Sequence, residues 1–130
     1  MKQKSIGKHM EYRQTSIEKV LSAPELEMLT SALGAYQLAL RSPLLRQERT
    51  ALVRQNIVHD AIKFTKKAPW HWSGDEVFEW IGNLVFSGIE LSTQRKYLST
   101  VNSFIRFIAM NPEINNSIRN EFGVKVIYEA

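Results

Sequence analysis

The residues in this chain that could do chemistry are cations, and the chemistry they suit is the holding of phosphate. Arg95, Lys96 and Arg106 lie in a stretch from Leu91 to Met110 that contains no acid. Thr93, Gln94, Ser99 and Asn102 stand among them and can donate or accept hydrogen bonds. Arg49, Lys63, Lys66 and Lys67 form a second basic set earlier in the chain. Guanidinium and ammonium groups bind phosphate oxygens, while amides and hydroxyls reach base edges and sugars. Bond-making chemistry has less to stand on. His9, His59 and His71 are scattered, with no His-x3-His pair for a metal. The chain has no cysteine, which excludes thiol nucleophiles, zinc–thiolate sites and disulfides. It has no glycine-rich phosphate loop. Asp75, Glu76 and Glu79 fall within one helical turn, where acids normally serve the cap and the macrodipole. No catalytic residue, metal or cofactor is assigned.

The elements that must position these cations are helices. At 100° per residue, Tyr97, Leu98, Val101, Phe104, Ile105 and Ile108 share one side of the Leu91–Ile108 stretch. Arg95, Ser99, Asn102, Ser103 and Arg106 share the other, with Lys96 at its margin. Ser92 is the expected cap. Arg95 and Lys96 then fall in the first turn, where cations oppose the helix dipole, so stability does not explain them and a nearby phosphate would. Ser99, Asn102, Gln94 and Ser103 are placed to read base edges or sugars, or are plain surface residues. The second basic helix is expected from Ser42-Pro43 to about Lys67, with Arg49, Asn56, His59, Lys63, Lys66 and Lys67 outside and Ile57, Val58, Ala61 and Ile62 inside. Arg54 projects inward and is expected to snorkel or to be paired. Lys63, Lys66 and Lys67 are either DNA contacts or a last turn favoured by the dipole. Thr50, Arg54, Val58, Ala61 and Phe64 repeat at an offset of 43 as Thr93, Tyr97, Val101, Phe104 and Phe107, a weak internal echo.

The remaining segments punctuate clearly. Thr15-Ser-Ile-Glu18, Ser22-Ala-Pro-Glu25 and Ser73-Gly-Asp-Glu76 read as three capping boxes. Leu26, Leu29, Leu33, Tyr36 and Leu40 make one buried face. Trp72 and Val77 are spaced for a hydrophobic staple, and Trp70, Trp72 and Trp80 are expected in the core. Gly88 and Gly123 read as helix ends, and Asn111-Pro112 as a helix junction. Val124 to Tyr128 looks extended, an unpaired edge if alone. The fold class is all-α. With 130 residues, 44% apolar, and no stretch near the roughly 20 apolar residues of a membrane span, the expectation is one cytoplasmic domain. Its net charge of +4 is divided unevenly. Residues 73–90 carry four acids and no base, between two basic helices.

The Ser92-Thr93…Tyr97-Leu98-Ser99…Val101…Phe104…Phe107 pattern resembles the last long helix of the core-binding domain of tyrosine recombinases (phage integrases). Asp75-Glu-Val77…Trp80-Ile81…Gly88-Ile89-Glu90-Leu91-Ser92 resembles the helix and turn before it, and Thr50–Lys67 fits the first helix. The resemblance covers roughly Ser42 to Asn111. The family commonly has aromatic residues where Arg54 and Ala61 stand. It implies a four-helix, SAM-like orthogonal bundle, here with additional N-terminal helices, that packs on one side of recombination-site DNA while a separate catalytic domain closes from the other. The domain plan it suggests is a disordered N-terminus over 1–14, a helical extension over 15–41, a core-binding domain over 42–123 and a linker over 124–130. In the family, extra N-terminal helices often contact a neighbouring protomer, which is one role open to the Leu26–Leu40 face.

The resulting expectation is a nucleoid-associated DNA-binding domain serving integration and recombination. Its partners are double-stranded DNA and a homo-oligomer on DNA, with no membrane and no small-molecule substrate. The family's catalytic tyrosine, arginines, lysine and histidine belong to the other domain, and Tyr97 and Tyr128 do not replace them. Two alternatives stay open: a helical protein-interaction or oligomerisation module, and a stand-alone DNA-binding regulator.

Overall fold

A computed structural model describes residues 10–40 and 47–128, with the side chains of residues 47 and 48 left aside. Among the described residues five α-helices follow one another: α1 Ala23–Ala39, α2 Gln47–Thr65, α3 Gly74–Phe86, α4 Leu91–Met110 and α5 Pro112–Phe122. Three-residue and four-residue 3₁₀ turns occur at Glu11–Gln14, Ile17–Lys19 and Pro69–His71. No strand occurs among the described residues, so the fold is all-α. None of their helices is long and apolar enough to cross a membrane.

Local chemistry sets most of the boundaries. Ser22 Oγ accepts from the Glu25 N–H at 3.3 Å while Glu25 Oε1 accepts from the Ser22 N–H at 2.8 Å, so the expected capping box starts α1. Ser73 and Glu76 do the same for α3, at 3.2 and 2.9 Å. Asn111 Oδ1 accepts from the Ile114 N–H and starts α5. Gly88 and Gly123 take left-handed φ values of 82° and 71° at the ends of α3 and α5, which suits residues without a Cβ. Lys66 adopts φ 63° after α2 despite its side chain.

Three local expectations fail. Thr15–Glu18 makes no capping box: Ser16 is the cap of a 3₁₀ turn and forms no side-chain cap bond. The turn has only three residues before Ser22 opens α1, too short to propagate as an α-helix. Ser92 is not the cap of α4. The helix begins at Leu91 after Glu90, whose side chain makes no cap bond. α2 ends at Thr65, two residues short of Lys67. The expected Ser42-Pro43 junction lies outside the described residues.

Two apolar clusters share α2 and α4. Ile57 and Ala61 of α2 meet Trp80 and Leu84 of α3 and Val101 of α4 in one cluster. Val58 and Ile62 of α2 meet Leu29, Leu33 and Tyr36 of α1, Phe104 and Ile108 of α4 and Ile118 of α5 in the other. α2 and α4 therefore pack side by side through both clusters. α3 covers one side of this pair, and α1 and α5 cover the other. All three tryptophans take structural roles. Trp80 is fully buried and stacks on Tyr97 at 5.8 Å, Trp70 stacks on Phe122 at 5.2 Å, and Trp72 donates its indole N–H to Thr65 Oγ1 at 2.7 Å. Trp72 and Val77 pack on the same cluster, as a staple requires.

The segment before α1 is neither disordered throughout nor an appendage. Residues 1–9 lie outside the described residues, but Met10 to Gln14 pack against α2 and α3. Asp60 of α2, 8% exposed, organises them. Its Oδ2 accepts from Tyr12 Oη at 2.7 Å, from Trp80 Nε1 at 2.9 Å and from Arg13 Nη2 at 3.3 Å, and Arg13 Nε pairs with Oδ1. Burial, then the Asp60 charge and hydrogen bond, raise the Tyr12 phenol well above its usual range. Burial works against the Arg13 cation, and Asp60 more than offsets it. Likewise α1 contributes Leu29, Ala32, Leu33 and Tyr36 to the common core, so that face does not wait for a neighbour.

The C-terminal segment is docked as well. Asn115 Oδ1 accepts from the Val126 N–H at 3.0 Å and Asn115 Nδ2 donates to the Val126 carbonyl at 3.0 Å, with Val126 buried. Residues 124–128 therefore pack on the bundle where a linker was expected, and residues 129–130 lie outside the described residues.

Two outcomes are expected from the N-terminal contacts. Asp60→Ala leaves an arginine, a phenol and a buried indole N–H without their acceptor and should cost about 3 kcal/mol of unfolding free energy, whereas Tyr12→Phe loses one charge-assisted bond, about 1.5 kcal/mol; urea unfolding measures both. His59 is held below its ordinary value by burial and then by Lys63, against a smaller opposing pull from Glu18. Below the unfolded value of about 6.5 the unfolded chain takes up a proton that the folded chain refuses, so stability falls as pH drops through that point. Urea unfolding at mildly alkaline and mildly acidic pH should show a smaller acid loss for His59→Gln than for the parent.

Candidate nucleic-acid interface

The outer face of α4 is built as its periodicity requires. Val101, Phe104 and Ile108 are buried, which fixes the rotation of the helix. Arg95, Ser99, Asn102 and Arg106, at steps of four, three and four, form one exposed stripe on the far side. Eleven residues separate the two arginines, about 16 Å of helix. Gln94 and Tyr97 anchor the start of the stripe: Gln94 Nε2 donates to the Ile89 carbonyl at 2.6 Å, and Tyr97 stacks on Trp80. Arg106 sits over the Tyr128 ring at 6.0 Å, so the docked C-terminal segment steadies the other end.

A second helix joins this surface at one place. Arg49, Thr50 and Val53 of α2 line a cleft with Lys96 of α4. The exposed Arg49 and Lys96 side chains carry positive charge into the same opening. Thr93, one turn before Lys96, is partly buried.

Several expected site residues are employed elsewhere. Gln94 is held by the Ile89 carbonyl and faces the α3–α4 turn. Ser103 Oγ accepts from Tyr36 Oη at 3.0 Å and so faces α1, because the α1 face packs here. Asn102 is exposed but borders a groove lined by Trp72, Val77, Phe78 and Tyr128. Lys63 lies fourteen residues beyond Arg49, about 21 Å along α2, and its Nζ reaches the Arg13 carbonyl at 3.4 Å. Lys67 pairs with Glu76 Oε2 at 2.7 Å, and this contact with Lys67 is the first cause holding Glu76 below its ordinary range. Lys66 is exposed at the same far end. The second basic set is thus divided: Arg49 joins α4, while Lys63, Lys66 and Lys67 cluster at the opposite end of α2. Arg54 is paired, donating to Gln37 Oε1 at 3.1 Å.

The start of α4 also alters the dipole argument. With Leu91 as its first residue, Arg95 and Lys96 occupy the second turn, where the field of the helix end has already decayed. Their case rests on exposure and on the neighbouring Arg49. Sequence reading missed Asp60, Tyr12 and Arg13, whose contacts span 47 and 48 residues, and Asn115, whose amide holds Val126. A lone aspartate inside an otherwise apolar helix pattern was the one signal available for the first group.

No group of three or more His, Cys, Asp or Glu that could hold a metal ion occurs among the described residues. No family model, curated protein or solved structure matches the chain.

Proposed function

We propose that this chain binds duplex DNA through the outer face of α4 and the adjoining start of α2, in the manner of the SAM-like core-binding domain of a tyrosine recombinase. The observation that carries the reading is the acid-free stripe Arg95–Ser99–Asn102–Arg106 flanked by the Arg49–Lys96 cleft. Four cations from two helices face outward over a surface whose backbone is fixed by buried Val101, Phe104 and Ile108. Phosphate oxygens of one duplex strand suit the arginine ends of the stripe, and Ser99 and Asn102 between them suit sugar or base-edge contacts. Recombination and integration are the processes such a domain serves, and a protein with that role resides on the nucleoid.

Attachment of this kind works by release of counterions, so its affinity is modest and falls steeply with salt, with non-specific dissociation constants of about 10⁻⁴ to 10⁻⁶ M at physiological ionic strength. Fluorescence anisotropy of a labelled duplex, titrated at several salt concentrations, tests the assignment. Arg95→Ala with Lys96→Ala should weaken binding and flatten the slope of log affinity against log salt by about 1.8, two contacts at about 0.9 each. Arg49→Ala should flatten it by about half as much, and Lys66→Ala should leave it unchanged. Melting temperatures should not fall, because these side chains are exposed. Parent-like affinity and slope in the double variant sink the proposal.

A further inference from the structure

We propose that the groove between α3, α4 and the docked C-terminal segment receives one unpaired nucleobase of DNA held on the α4 stripe, an assignment that rests on the DNA reading above. Trp72, Phe78 and Tyr128 reach the groove from three separate elements, and Leu98 and Ile105 of α4 share its lining. Its volume of about 530 Å³ is in the range of sites for small organic groups. Trp72 is fixed there by its indole N–H, which donates to Thr65 Oγ1 at 2.7 Å and to the Lys67 carbonyl at 3.0 Å. Phe78 is 75% exposed and belongs to neither apolar cluster, so the core does not account for it.

The polar groups at this groove indicate the occupant. Asn102, exposed on the stripe, lines it, and its amide offers a donor beside an acceptor, as the edge of a base requires. One turn further, the Arg106 guanidinium lies over the Tyr128 ring at 6.0 Å, so a cation for phosphate adjoins the aromatic wall. Aromatic side chains, an amide and a guanidinium are the groups with which proteins hold bases that have left their stack. Charge sets the direction. Asp75 and Glu79 are exposed on α3, whereas Arg95 and Arg106 are exposed on α4. Phosphates are repelled on the α3 side and stay along α4, and only an uncharged base crosses toward Phe78. A continuous duplex keeps its bases stacked and offers none, so the groove favours DNA with a bulge or a single-stranded stretch.

Fluorescence anisotropy with three labelled duplexes tests the groove: one fully paired, one with a single bulged adenine, and one with an abasic bulge at the same place. The abasic bulge matches the adenine bulge in flexibility but has no base to stack. The whole chain should bind the adenine bulge at least about fivefold tighter than either of the others. Phe78→Ala should abolish that advantage, with unchanged affinity for the paired duplex and unchanged circular dichroism, because the side chain is exposed. Equal binding of the two bulged duplexes, with the paired duplex still bound in a salt-dependent way, overturns the base site and leaves the DNA reading standing. Loss of binding to all three removes both. A dimer seen by sedimentation of the chain alone and abolished by Phe78→Ala gives the groove to a second copy and also overturns the base site.

Discussion

A carboxylate placed inside a small bundle has to be answered by donors, and Asp60 is answered from three directions. Its desolvation would be prohibitive alone, so the phenol of Tyr12, the guanidinium of Arg13 and the indole of Trp80 all turn toward it. The consequences travel outward. Tyr12 and Arg13 bind the N-terminal segment to α2, and Tyr12 packs edge-on against Phe64. Trp80 fixes the rotation of α3, and Tyr97 lies flat on Trp80 and so fixes the start of α4. Through Trp80 and Tyr97, Asp60 is thus connected to the start of the helix that carries the exposed stripe.

The legible parts of this fold were the local ones. Capping boxes at Ser22 and Ser73, the Asn111 cap and the left-handed glycines 88 and 123 depend on residues within four positions of one another, and all form as the sequence implies. The apolar faces of α1, α2 and α4 were legible too, because burial imposes a period. What stayed hidden needs distant partners. Tyr12 and Arg13 sit in a segment with no period of its own, and only their reach of 48 and 47 residues to Asp60 orders them. Thr15 to Glu18 had the right residue types for a capping box but too little chain before Ser22 to use them.

The cations show the same division. Periodicity separated the outer stripe of α4 from its buried face, and Arg95, Ser99, Asn102 and Arg106 are all exposed. It could not tell that two members of the wider set were committed elsewhere. Gln94 and Ser103 lie at the edges of the stripe, where a small rotation decides between solvent and a neighbouring helix, and each found a partner on the protein. The basic residues of α2 form one group in sequence, yet nineteen residues of helix carry them to opposite ends of that helix. Of these basic residues, Arg49 shares a cleft with Lys96 of α4.

Asn115 has an effect beyond anchoring one residue. Val124, Val126 and Ile127 are a β-branched run of the kind that recruits other chains into aggregates through open backbone donors and acceptors. Its amide occupies both the N–H and the carbonyl of Val126, much as an adjacent strand would, without any sheet being built. A single side chain of α5 thus keeps the backbone of Val126 from standing as an open edge.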